Sequence, residues 1–453
     1  MCSADMVSRS AVKRGAGNSA RPAFCLPEIV FRYAAAFFVI AHLASAQQPL
    51  RLSLAEAEQM AIKNNPALSA EQFVVRAALQ VPAEVRAAAL PNVVGSITGV
   101  GADSGSRLAA GALNNPVVFS RLATGITVNQ LVTDFGRTAS LVESSKFHAA
   151  AEGQIAETVR ANILLQTDRA YFAVLRAKSV LTVATQTVSA RQLVSDQVTE
   201  LAKSNLKSQL DVSFANVNLA QAKLQLSAAQ NQLSSAEAQL AAALGSPDQQ
   251  NFDLADESLS GAVDAAVSNY IQTAMEKRPE LLNLRLEVNA AERTVQAEKD
   301  LSHPTISMIG TTGVVPAGEA AIPGRYGAIG ANVSIPILNG GLFKARRMEA
   351  EFRLQAANKR IDDLKNRVVR DVRTAWLDAS TAYEQVGLTA QLLDQAKLAL
   401  DLAQGRYDLG LSSIVELSQA QLNLTGAQIA NAGAKYDFLA QKSFLSYQAG
   451  TLR

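Results

Sequence analysis

The chain has 453 residues, of which 5% are aromatic, with 13 prolines and a formal net charge of +2. That balance leaves no basic excess for binding nucleic acid. Scarce aromatics beside abundant Ala, Gln, Leu, Ser and Asn point to long helices packed on small residues, not to a core built on large rings.

Residues 1–46 read as a secretory signal peptide. Arg9, Lys13, Arg14, Arg21 and Arg32 form a basic region, residues 33–46 an apolar run, and Ala44-Ser45-Ala46 a cleavage site before Gln47. The apolar run is shorter than the roughly 18 residues that cross a membrane. Without this segment 37 Lys/Arg face 38 Asp/Glu, a net charge of −1. Cys2 and Cys25 leave with it, so a disulfide-stapled scaffold is not expected. Phe24 before Cys25, with the apolar core on the far side of that Cys, argues against a lipid anchor.

Residues 52–65 read as a short amphipathic helix with Ser53 as its N-cap. Pro66 opens a second helix that runs to about residue 90, where Pro91 stops it. The same signals return 213 residues later, as Ala61/Ala274, Pro66/Pro279, Leu68/Leu281, Val75/Val288 and Pro91/Pro304. After each stopping proline the texture becomes β. Residues 93–101 and 122–133 alternate and are rich in Val, Ile, Thr and Gly, as are 305–315 and 326–338, with Gly/Asn/Pro loops at 102–121 and 316–325.

From Gly136 and Gly341 the chain turns helical as far as tips near Asn205 and Gly410. Helices over 136–204 and 341–409 would each span about 100 Å at 1.5 Å per residue. Second helices return over 209–245 and 413–450, and the acidic, loop-like stretch 246–263 links the copies. Here the repeat offset is 205, as in Ser208/Ser413, Asp211/Glu416, Asn218/Asn423, Leu240/Leu445 and Gly245/Gly450. Apolar residues recur every seventh position: Val212, Leu219, Leu226, Leu233 and Leu240, then Leu417, Leu424, Phe438 and Leu445, with Asn431 the polar exception. Such a repeat keeps one seam on a partner helix and implies left-handed supercoiling.

The predicted class is therefore mostly α with a membrane β part. Residues 47–245 and 264–453 are two copies of helix, helix, strand, strand, very long helix, helix. Four strands of about ten residues suit a tilted membrane barrel, but four cannot close, and an open edge is not tolerated in lipid. Two chains would give eight strands around a filled interior. Three would give twelve and leave a lumen, so three is the smallest number of chains that yields a channel.

The candidate site is the pair of tips. Ser208-x-x-Asp211 and Ser413-x-x-Glu416 read as capping boxes, in which each Ser caps a helix and each acid reaches back to the cap amide. Their place at the turns equally suits a pore-facing role, since threefold symmetry would gather six acids at one end. Trp376, in Ala375-Trp-Leu, matches Tyr171, in Ala170-Tyr-Phe, and reads as a packing anchor. His148 and His303 lack ligand spacing, so no metal site is expected. Gly99-x-Gly101-x-x-x-Gly105 follows a strand but precedes no helix, so it is not a dinucleotide loop. No nucleophile–base pairing stands out, and neither an enzyme nor a cofactor is expected.

Three motifs carry a family resemblance. They are Leu52-Ser-Leu-Ala-Glu-Ala57 leading to Asn64-Asn65-Pro66, Val333-Ser-Ile-Pro-Ile-Leu-Asn-Gly-Gly341 with its weaker copy Val128-Asn-Gln-Leu-Val-Thr-Asp-Phe-Gly136, and Tyr407-x-x-Gly410 leading into Ile414-Val415-Glu416-Leu417. In order and duplicated, they make the chain similar to the TolC family of outer-membrane efflux and secretion channels. The resemblance implies a homotrimer, with a twelve-stranded barrel in the outer membrane continuous with a periplasmic α-helical barrel. It also implies passive export of substrates from an inner-membrane pump through a periplasmic adaptor (membrane fusion) protein, in a Gram-negative type envelope. Carried over by residue, the gate acids fall on Asp211 and Glu416 and a constricting tyrosine on Tyr407. Ser412 stands in the place of a basic partner and Gln419 in the place of a second acid, departures that favour a looser or less cation-selective gate. A periplasmic or surface coiled-coil scaffold or adhesin without a pore is the alternative reading.

Overall fold

The computed structural model describes residues 51–107, 117–246, 252–259 and 261–452. The expected signal peptide lies outside the described residues, as do parts of the stretches 102–121 and 246–263.

The described chain opens with β1 (Arg51–Leu52) and α1 (Leu54–Asn64). Ser53 caps α1 in a complete capping box, its amide donating to Glu56 Oε2 at 2.9 Å. Next come α2 (Pro66–Ala78) and α3 (Val81–Ala87), where one helix to about residue 90 was expected. The break at Leu79-Gln80 follows from Pro82, which offers no N–H and whose ring crowds the carbonyl four residues back. At the matching position the second copy has Val295, and its helix is continuous.

Then follow β2 (Asn92–Val100), β3 (Arg121–Thr133), α4 (Arg137–Lys203), α5 (Gln209–Ala243), β4 (Asp253–Leu254), α6 (Val267–Lys277) and α7 (Pro279–Asp300). The chain ends with β5 (Thr305–Gly318), β6 (Arg325–Ser334), α8 (Leu342–Asp408) and α9 (Ile414–Gln448). Strand β6 stops four residues short of the expected 338 because Pro336 cannot donate to a ladder. The linker is not wholly loop, since β4 pairs in parallel with β1, Leu52 opposite Leu254.

Strands β2-β3-β5-β6 form one antiparallel sheet in that order. Paired residues share a face, so the register sorts the side chains. One face carries Val93, Ile97, Ile126, Val128, Met308, Ile329 and Val333, all exposed. The other is mainly polar, carrying Asn92, Ser96, Thr127, Asn129, Ser307, Thr311, Tyr326 and Asn332 together with the exposed apolar Val94 and Ile309. The helices repeat this lateral order, with α3 on α4, α4 on α7 and α7 on α8. No helix among the described residues is long and apolar enough to cross a membrane.

Helices α4 and α5, and α8 and α9, pack as long hairpins. In α5 the seam buries Val212, Leu219 and Leu240 together with Ala215, Ala222, Ala229 and Ala236. In α9 Leu417, Phe438 and Leu445 are buried with Ala420, Ala427 and Ala434. Alanine three positions after Val212, Leu219, Leu226, Leu233, Leu417 and Leu424 lets the helix axes approach closely there, the half of the seam that the large side chains alone do not reveal. Tyr171 is fully buried, its hydroxyl 2.9 Å from the Leu52 carbonyl and 2.7 Å from that of Ala255. Trp376 Nε1 donates to the Asp264 carbonyl at 2.8 Å. Both anchors therefore fasten backbone as well as fill space. Nearby, Asp168 is buried with one carboxylate oxygen lacking a partner among the described residues.

Candidate functional site

Each long helix ends in a left-handed residue, Asn205 (φ 60°) or Gly410 (φ 73°). The next amide reaches back across the turn, Leu206 to the Leu201 carbonyl at 2.9 Å and Leu411 to that of Arg406 at 2.8 Å. These closures satisfy the last carbonyls and reverse the chain within a few residues. They place the starts of α5 and α9 beside the ends of α4 and α8.

At the first tip the Ser208 amide and hydroxyl donate to Asp211 Oδ2 at 3.0 and 2.7 Å, and the Asp211 amide donates to Ser208 Oγ at 3.2 Å. The box is complete. At the second tip the Glu416 amide donates to Ser413 Oγ at 3.4 Å, but the reciprocal bond is missing. Instead Glu416 Oε1 lies 3.2 Å from Arg406 Nε. The expectation of two capping boxes is corrected to one and a half, because a longer acid with a guanidinium in reach finds a charged donor better than a neutral amide.

Tyr407 is buried in one chain among Ile414, Leu417, Phe214 and Leu400. Burial raises its phenol pKa above the ordinary value, and the Asp211 and Asp408 carboxylates add to that. Its hydroxyl has no hydrogen-bond partner among the described residues. Over its ring sits Lys207 Nζ, 3.7 Å from the centroid. Shifting Lys207 by the repeat offset of 205 gives Ser412, so the second tip has no counterpart of Lys207, and the lysine of the first tip lies over the tyrosine of the second. Neither Lys207 nor Arg406 was among the predicted residues; the offset itself was the signal for Lys207.

The remaining predicted residues are scattered. Ser412 Oγ has no partner among the described residues, and Gln419 is exposed and donates to Asn423 Oδ1 at 3.0 Å along its own helix. Asn218 Nδ2 donates to Ser418 Oγ at 2.8 Å and so joins α5 to α9. The tips thus hold hydrogen-bonding and charged groups that link the two repeats, with Asp211, Tyr407 and Lys207 gathered at one point and the Glu416–Arg406 pair at another.

The model of the family described as outer membrane efflux protein matches residues 57–246 and 270–450. The chain belongs to the outer membrane efflux protein family. It is similar to outer membrane protein TolC of Salmonella enteritidis, 25% identical over 416 residues, covering 88% of this chain and 82% of that one. Outer membrane efflux protein BepC of Brucella suis biovar 1 is 25% identical over 426 residues, 92% and 90% of the two chains. Among solved structures, a membrane protein from Pseudomonas aeruginosa superposes with a TM-score of 0.77 at 22% identity, over 88% of this chain and 93% of that one, a likeness of fold. The family is one of transport channels, not of enzymes. This efflux protein works in the Gram-negative outer membrane as an exit duct of an efflux or secretion system.

Proposed function

We propose that three copies of the efflux protein close a twelve-stranded barrel continuous with a helical tunnel, and that the tips of α4/α5 and α8/α9 gate its periplasmic end. The observation that carries this is the coincidence of free edges. The sheet ends at β2 and β6, and the helix layer ends at α3 and α8, the neighbours of those same strands in sequence and in order. One interface, β6 and α8 of one copy against β2 and α3 of the next, would close both layers. The exposed apolar face of the sheet suits lipid and the polar face a wet lumen. A pore-free coiled-coil scaffold gives no reason for a two-faced sheet with unpaired edges.

In this reading Asp211, Tyr407, Glu416, Ser412 and Gln419 surround the narrow end, with Ser208 and Ser413 capping its helices. The charges at the tips would meet a periplasmic adaptor, and an inner-membrane pump would load the duct. The test is mass in detergent, which should be three times that of one mature chain. A stable monomer would sink both barrel and gate.

A further inference from the structure

The four strands of the sheet contain one aromatic residue, Tyr326 at the start of β6, and it lies on the polar face. Membrane barrels carry their aromatics as girdles on the lipid side, so this ring calls for another explanation. Its cross-strand row supplies one. Tyr326 pairs with Gly313, Gly313 with Gly125, and Gly125 with Ser96.

The phenol lies over both glycines. A Cβ on Gly125 would collide with the Tyr326 hydroxyl and stand 3.0 Å from its Cζ, and a Cβ on Gly313 would collide with both atoms. Neither glycine has a positive φ, so what the position requires is the missing side chain and not backbone freedom. Tyr326 is 37% exposed, and its hydroxyl makes no hydrogen bond among the described residues. One face is seated on the wall and the other is open. Tyr326 lies at the strand end remote from the helices, just after the turn that follows β5. There the Glu319 amide donates to the Ser120 carbonyl at 3.1 Å and the Ser120 amide to Glu319 Oε1 at 2.7 Å, tying the two hairpin ends together.

We propose that Tyr326, seated on Gly125 and Gly313, is the cargo-facing side chain that sets the width and the chemistry of the duct's outer mouth. This rests on the barrel reading, which turns the polar face inward. Three copies then present three rings at one level, each offering a π-face and a hydroxyl. Such a ring favours the passage of planar and cationic solutes over that of bulky anions.

The test uses thiol labelling from outside the cell, since the chain's two cysteines, Cys2 and Cys25, precede residue 47. Asn129→Cys lies on the same face as Tyr326, deeper along the sheet, and Ile329→Cys lies on the opposite face. A polar, membrane-impermeant maleimide should modify Asn129→Cys and spare Ile329→Cys. Failure to modify Asn129→Cys, or the reverse pattern, overturns the barrel reading and the proposal with it. With that pattern in hand, Tyr326→Ala should raise the labelling rate of Asn129→Cys by a bulky maleimide severalfold, Tyr326→Trp should lower it, and a small maleimide should be indifferent to both. Bulky-reagent rates that ignore residue 326 overturn the proposal and leave the barrel standing.

Discussion

Glu416 Oε1 lies 3.2 Å from Arg406 Nε, a contact that crosses the second tip from the first turn of α9 to the last turn of α8. At the first tip the equivalent acid, Asp211, is folded back onto Ser208. The two tips of one duplicated hairpin therefore hold their acids differently. One carboxylate is neutralised by a cation, and the other is held by an amide and a hydroxyl that leave its charge in place.

This difference sets an order of effects on selectivity. If three Asp211 carboxylates face the axis about 6 Å apart, each pair repels by roughly 3 kcal/mol at an effective dielectric of 20. Asp211→Asn should lower cation selectivity in planar-bilayer conductance more than Glu416→Gln does, with the protein's melting temperature held within a few degrees. Arg406→Gln, which frees Glu416, should raise cation selectivity and cost at most about 1 kcal/mol in stability, as for an exposed ion pair. Unchanged selectivity with a marked loss of stability would return Asp211 to a capping role alone.

The buried hydroxyl of Tyr171 is shared between the carbonyls of Leu52 and Ala255, on either side of the β1/β4 pair. Tyr171→Phe keeps the packing and strips both carbonyls of that donor, a loss of about 1–3 kcal/mol. Thermal unfolding of the wild type and the variant measures it. A neutral result would mean that β1 and β4 hold without the anchor.

Pro82 and Val295 make a paired test of the repeat. Val295→Pro inside α7 should cost about 3 kcal/mol or more, because an interior proline removes a helical bond and clashes with the preceding turn. Pro82→Ala should move stability by less than about 1 kcal/mol, since the chain is already broken there. Equal costs at the two sites would contradict the assigned break at Leu79-Gln80.

Burial pushes the Asp168 carboxyl up to about 8, with the Glu58 charge adding to the shift and a bond from Ser443 opposing it. The unfolded chain releases that proton near pH 4. The folded state binds it more tightly, so the stability it contributes is full below about pH 4 and is lost as pH rises towards about 8. The melting temperature should fall between mildly acidic and mildly alkaline buffer, and Asp168→Asn should flatten that fall. A wild type that gains stability over the same range would refute the buried acid.

Local chemistry made much of this protein legible before any fold was known. Paired prolines such as Pro66/Pro279 fixed helix starts because proline sets φ and removes a donor. The alternation of Val and Thr in β2 and β3 set their faces because a strand's side chains have period two. Leu219 and Leu240 marked their seam because every seventh residue returns to the same side of a supercoiled helix. Ser208 and Asp211 announced a cap because both partners lie within one turn. Pro82 in α3 and Pro336 just beyond β6 are local signals too, since each removes a backbone donor and so ends the element before it.

Contacts between distant segments were decided only by the tertiary structure. Glu416 abandons the cap amide because α8 brings Arg406 within reach, and nothing in Ser413-x-x-Glu416 records what stands across the turn. Lys207 comes over Tyr407 from 200 residues away. Asp168 is an ordinary helical acid in sequence, and its proton is held by the low dielectric that α1 and α9 build around it. Gly125 and Gly313 are unremarkable strand glycines until the register sets them beneath the ring of Tyr326. Periodicity and capping act within a few residues and are written along the chain. Charge pairing, burial and cross-strand seating depend on which segments meet, and only folding settles that.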